Sequence, residues 1–169
     1  LASGGTDKTI KLWHLETGEL LQTLKNNNAS VKSLNFSSDG QILASTSGKA
    51  IALWSRQNKK FEPLNIIEGD NGLIQSISFS PDDRTIASAG YDKTVKLWSL
   101  DGKLLQVFQG HNAPVYGVSF SPTENILAST GADEAVILWN FDNRLKPLIG
   151  HNSPVYKIEF SKEDRKSVV

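Results

Sequence analysis

The chain has no cysteine, which excludes disulfides and thiolate-held metals and leaves the redox compartment open. It has no excess of either charge: 18 Lys and Arg balance 18 Asp and Glu. That balance argues against a nucleic-acid footprint carried by bulk charge, so no nucleic-acid partner is expected. No apolar run reaches the roughly twenty residues of a membrane helix, and no charged-then-apolar signal segment opens the sequence. The expected location is therefore the cytoplasm, with no membrane role. The three histidines are scattered, so neither a metal site nor a cofactor is expected. The first residue is Leu1, inside what reads as a strand, and the chain reads as a piece of a longer protein. At 169 residues it can bury one good core.

What the sequence does contain is repetition. Its four tryptophans, Trp13, Trp54, Trp98 and Trp139, are spaced by 41, 44 and 41 residues. They close the strings TIKLW, AIALW, TVKLW and AVILW, and ahead of each lies LAS or IAS. Chance does not produce four such matches. A period of about 40–45 residues with four strands per unit signals propeller blades. The fold class expected is all-β: a β-propeller of four-stranded antiparallel blades, with about four blades' worth of strands in this chain.

The organising stretch runs from Gly110 to Trp139. It opens with Gly-His, passes through two apolar segments, turns at an acidic residue and ends on tryptophan. Gly110-His111, Gly150-His151, and Asp7, Asp92 and Asp133, each six residues before its tryptophan, carry a resemblance to the WD40-repeat family that covers essentially the whole chain. The literal Trp-Asp pair is absent, since the tryptophans are followed by His14, Ser55, Ser99 and Asn140. The regularity of the repeats is similar to that of bacterial WD-repeat arrays that follow signalling or NTPase domains.

The expected division is 1–28 as strands two to four of a first blade, then blades at 29–70, 71–111 and 112–151. Residues 152–169 are expected to be the first strand of a further blade. Each full unit begins with an apolar segment whose spacing is three and then two: Val31, Leu34, Phe36; Ile74, Ile77, Phe79; Val115, Val118, Phe120; and again Val155, Ile158, Phe160. One residue beyond period two predicts a β-bulge. Thr17-Gly18, Asp101-Gly102 and Asp142-Asn143 read as hairpin turns. Pro63 and Pro147 fall in the fourth strands, which must then be sheet edges.

The resemblance implies a hydrogen-bonded tetrad within each blade, complete here as His111, Ser129, Asp133 and Trp139. Blade three retains Ser88, Asp92 and Trp98 but has Asp70 at the histidine position, which reads as drift and not as a carboxylate pair for a cation. Blade two has Asn27 for the histidine and Gly48 at the aspartate position, one residue short. Ser3, Asp7 and Trp13 lack an upstream histidine, and His151 would complete them if the ring closed on itself or on a second copy. A Ser, His and Asp together also suggest a catalytic triad, but the serine lies mid-strand with no exposed nucleophile turn. No catalytic residue is expected. His14 reads as a surface residue.

By the same resemblance, partners would bind one narrow face, built here by Ser30, Lys32, Leu73, Gln75, Pro114, Tyr116, Pro154 and Tyr156, with Thr6, Tyr91 and Ala132 at the turns and Ser47 less well placed by the deletion. All three tyrosines of the chain fall on it, and tyrosine is enriched in interface hot spots. The expected function is a non-catalytic scaffold for other proteins or peptides, a regulatory or sensor segment of a larger protein, with a homodimer that completes a ring as a further partner. The rival is a propeller with a small-ligand or enzymatic site in its central channel.

Overall fold

A computed structural model describes residues 1–25, 27–69, 71–141 and 144–161. Four antiparallel meanders form, one per tryptophan. Blade one has β1 (Ala2–Gly4), β2 (Ile10–Trp13) and β3 (Leu20–Leu24); blade two has β4 (Leu34–Phe36), β5 (Ile42–Ser47), β6 (Ala50–Gln57) and β7 (Lys60–Ile67). Blade three has β8 (Ile74–Phe79), β9 (Thr85–Gly90), β10 (Thr94–Ser99) and β11 (Leu104–Gln109); blade four has β12 (Val115–Phe120), β13 (Ile126–Gly131), β14 (Val136–Asn140) and β15 (Arg144–Leu148). The family-like pattern thus gives the propeller blades its repeats suggest.

The turns follow from local chemistry. Gly18 and Gly102 supply positive φ at 69° and 99° in the hairpins before β3 and β11. Ser37 and Ser80 each donate a hydroxyl to the aspartate two residues on, Asp39 and Asp82, both at 2.6 Å. These side-chain bonds fix the tight connections into β5 and β9. Pro63 and Pro147 lie in β7 and β15, each the last strand of its sheet. A residue without an N–H is tolerated there. Asp142-Asn143 lies outside the described residues.

Register shifts between Ile74 and Ser76 and between Val115 and Gly117 make Gln75 and Tyr116 the extra residues of β8 and β12. Blade two differs. Its ladder starts only at Leu34, because the Thr46 hydroxyl accepts the N–H groups of Lys32 and Ser33 at 2.8 and 3.1 Å. Residues 155–160 also depart from the strand expected there. They run beside blade four, with the Val155 N–H on the Gly131 carbonyl at 3.0 Å, but they form no ladder. A strand needs a hydrogen-bonded neighbour, and among the described residues β1, which corresponds to the second strand of the other blades, pairs with β2 alone.

The core lies between blades, not within them. One apolar cluster joins Leu97 and Phe108 of blade three to Val118 and Trp139 of blade four. A second joins Ile51 and Leu53 to Ile77 and Trp98, and a third joins Ile10 and Leu12 to Val31 and Trp54. Each such side chain contributes about 1.5–3 kcal/mol when buried, so a blade is stable only against its neighbour. Polar stitches set the spacing. Ser33, Ser76 and Ser78 accept N–H groups of the next first strand at 3.2–3.3 Å. On the outside, Gln22 bonds both the N–H and the carbonyl of Phe61 at 2.9 and 2.7 Å. The meander leaves two rims. An upper rim carries the entries to the first strands and the turns before β2, β6, β10 and β14, and a lower rim carries the other turns.

Candidate functional site

In blade four, His111 sits in the loop before β12, Ser129 on β13, Asp133 in the turn after it and Trp139 on β14. His111 Nδ1 is 2.9 Å from both Asp133 oxygens, His111 Nε2 is 2.7 Å from Ser129 Oγ, and the Trp139 indole donates to Ser129 Oγ at 2.8 Å. With a proton on Nδ1 directed at the carboxylate, Nε2 accepts the Ser129 hydroxyl proton, and the serine oxygen accepts the indole N–H. Every side-chain polar atom of these four residues is then used. The Asn112 N–H also donates to Asp133 at 2.8 Å. Burial works against the Asp133 carboxylate, but the His111 and Asn112 hydrogen bonds outweigh it and hold its pKa below the ordinary value. Ser129 is 0% exposed, and its hydroxyl is shared between His111 and the Trp139 indole, so the four side chains brace β13, β14 and the loop before β12 against one another.

The other blades keep the serine–tryptophan half of this arrangement and change the rest. The indoles of Trp13, Trp54 and Trp98 donate to Ser3, Ser45 and Ser88 at 2.8, 3.1 and 2.9 Å. In blade two, Asn27 replaces the histidine at 3.1 Å from Ser45 Oγ, and Ser47 accepts the Asn28 N–H at 2.9 Å, the role Asp133 fills for Asn112. In blade three, Asp92 is bonded by Lys96 of β10 and by the Thr94 hydroxyl. Burial raises the Asp92 pKa, yet these bonds carry it below the ordinary value. Asp70 lies outside the described residues. Lys96, 4% exposed, was missed in the sequence. Its signal was the lysine four after the turn aspartate, repeated as Lys11, which stands 3.6 Å from Asp7. His151 is exposed and is not brought to Asp7, because 155–160 and β1 do not pair. His14 is exposed, and its Nδ1 accepts the Thr17 N–H at 3.4 Å.

On the upper rim the three tyrosines meet. Tyr91 packs edge-on against Tyr116, ring centroids 6.4 Å apart, and Tyr116 stacks on Tyr156 at 5.2 Å and 11°. They form one strip across the turn before β10, the bulge of β12 and the segment after β15. Tyr91 is 49% and Tyr156 69% exposed. Leu73 and Pro154 are exposed beside them, Pro114 and Gln75 half-buried, and Lys32 exposed further along the arc. The inner wall is a concavity of about 400 Å³ lined by the first strands and 156–159. Its serines stitch blades, and its charged pair, Lys157 and Glu159, stand 3.9 Å apart. Among the described residues no cluster of His, Asp or Glu is placed to hold a metal.

The WD domain, G-beta repeat family matches residues 1–14, 18–55, 61–99 and 102–140. The chain belongs to the WD40-repeat family. It is 29% identical over 100 residues to the target of rapamycin complex subunit LST8 of Saccharomyces cerevisiae, covering 59% of this chain and 33% of that protein. It is 30% identical over 103 residues to human WD repeat and SOCS box-containing protein 1, covering 60% and 24%, and 30% identical over 103 residues to nuclear distribution protein nudF of Aspergillus flavus, covering 59% and 22%. The aligned segment thus spans at most a third of the length of these relatives.

Proposed function

We propose that this WD40 segment is a non-catalytic scaffold that captures another protein or peptide on its upper rim, as a regulatory part of a larger protein. The observation that carries the reading is the contact of Tyr91, Tyr116 and Tyr156 across neighbouring blades. Tyrosine gives a large contact area with a polar tip at small rotamer cost. A core role does not require a ring 69% exposed, as Tyr156 is. The relatives named above include a subunit of a protein complex, which agrees with this reading. Replacing Tyr116 by Ala is expected to leave the β-sheet circular dichroism unchanged and to abolish capture of partners by the immobilised chain. Unfolding of that variant, or unchanged capture, refutes the assignment. A second reading, a ring completed by another copy, is favoured by the segment 155–160, which forms no ladder, and by β1, which among the described residues has a strand on one side only. Light scattering decides it, since a monomer mass at high concentration removes it.

A further inference from the structure

The lower rim differs between one pair of blades and the next. Between blades two and three the turns are locked: the Ser38 N–H donates to both Asp83 oxygens at 2.9 Å, and the Ser38 hydroxyl donates to Asp83 as well. Ser38 is the second residue of Ser37-Ser38-Asp39-Gly40, and Asp83 the fourth of Ser80-Pro81-Asp82-Asp83. One blade further on, the same two positions are Pro81 and Glu124. Proline has neither an N–H nor a hydroxyl to offer, so Glu124 cannot be locked in this way. Among the described residues nothing hydrogen-bonds or pairs with its carboxylate; only its backbone N–H is used, on Ser121 Oγ at 3.1 Å.

The groove left open there has a volume of about 410 Å³. Its floor is Leu97, Phe120 and Phe141, with the two phenyl rings stacked at 6.2 Å and 5°. Pro81, Asp82, Pro122 and Glu124, all exposed, also line it. Among the described residues no lysine, arginine or histidine lines it; Arg84, beside Asp82, lies outside. The Ser80 hydroxyl and then the Arg84 N–H keep Asp82 below the ordinary carboxylate pKa, so it is ionised at neutral pH. The fold does not impose this charge, because the matching groove between blades one and two, over Trp13, Phe36 and Phe61, is rimmed by Arg56, Lys59 and Lys60.

We propose that the groove between blades three and four is a second docking site, distinct from the tyrosine strip, that receives a lysine or arginine side chain of a partner protein. The aliphatic stem covers the phenyl floor, the cation lies over a ring face, and Glu124 supplies a counter-charge that no group among the described residues neutralises. A neutral stem leaves the carboxylates unused, and an anion is repelled.

The probe is an acetylated Leu-Lys-Leu amide titrated into the labelled chain by heteronuclear NMR, with norleucine or glutamate in place of the lysine as controls. The expected result is saturable shifts confined to 80–85 and 120–125. Binding of the norleucine peptide should be about fivefold to tenfold weaker, the sum expected of one partly exposed ion pair and one cation–π contact. Glu124→Gln should remove that preference. Pro81→Ser, which restores the donors Ser38 has, should close the groove and weaken the lysine peptide, while Tyr116→Ala should leave it unchanged. Absence of saturable shifts in the groove, equal binding of the norleucine peptide, or undiminished binding by Pro81→Ser overturns the proposal. Loss of binding in Tyr116→Ala with the fold intact places the cation on the upper rim instead and also overturns it.

Discussion

Replacing Ser129 by Ala removes one oxygen and breaks the brace of blade four at its centre. That oxygen holds His111 Nε2 at 2.7 Å and the Trp139 indole at 2.8 Å, and Ser129 is 0% exposed. Both ring nitrogens would remain in place, since His111 is still held by Asp133 and Trp139 by Phe108, 5.3 Å away between centroids. Each buried polar group left without a partner costs about 1–3 kcal/mol. The two together, less some relaxation, come to about 3 kcal/mol, and the space vacated is too small for a water to replace the hydroxyl. In a domain of this size that lowers the melting temperature by about 6–12 °C. Ser3→Ala supplies the internal control. It breaks the matching bond to Trp13, but Ser3 is exposed, so water replaces the hydroxyl and the cost stays below about 0.5 kcal/mol. Urea denaturation followed by circular dichroism gives both values from the midpoint shift and the slope. If the two variants differ by less than about 0.5 kcal/mol, the buried chain of hydrogen bonds is not what holds blade four.

Acid should weaken the fold through Asp133 and Asp92. Their folded pKa values lie below the ordinary carboxylate value, so their contribution is complete above that ordinary value and is lost as pH falls through the lower folded ones. Denaturation midpoints measured down to about pH 2 should fall, and Asp133→Asn should flatten part of the decline; an unchanged profile refutes the assignment. Gly131→Ala should destabilise by about 1–3 kcal/mol, because an added Cβ would stand 2.8 Å from the Pro114 carbonyl oxygen and 2.9 Å from an Asp133 oxygen. A thermal melt within a degree or so of the parent would show that this loop gives way without cost.

The blades were legible because their signals are local. A tryptophan closing each third strand, turns of fixed composition and prolines in the last strands each report on a few consecutive residues. The bulges at Gln75 and Tyr116 were legible for the same reason, since a three-then-two spacing has one geometric meaning in a strand. The absent bulge in blade two was not, because it depends on which groups the Thr46 hydroxyl reaches. Neither was the Asp92–Lys96 pair. A lysine in an apolar strand reads as a solvated side chain until the neighbouring blade buries it. The contact of the tyrosines needed coordinates as well, for the sequence could put all three on one rim but could not bring their rings together.

The variation among blades indicates which half of the brace the fold requires. All four indoles find a serine on the second strand, at 2.8–3.1 Å. The other half is filled by His111 and Asp133, by Asn27 with Ser47, or by Asp92 with Lys96. The difference follows from position. In blades two to four the tryptophan lies in the apolar layer between blades, where an orphaned N–H has no recourse to water. The turn lies near the rim, where any short polar group can take the backbone N–H that enters the first strand. The rim half is therefore free to change sequence without unfolding the blade, and it borders the surface that carries Tyr91 and Tyr116. A fold whose constant bonds are buried in three of its four blades, and whose variable bonds lie towards its edge, can alter what it presents while its blades stay in place.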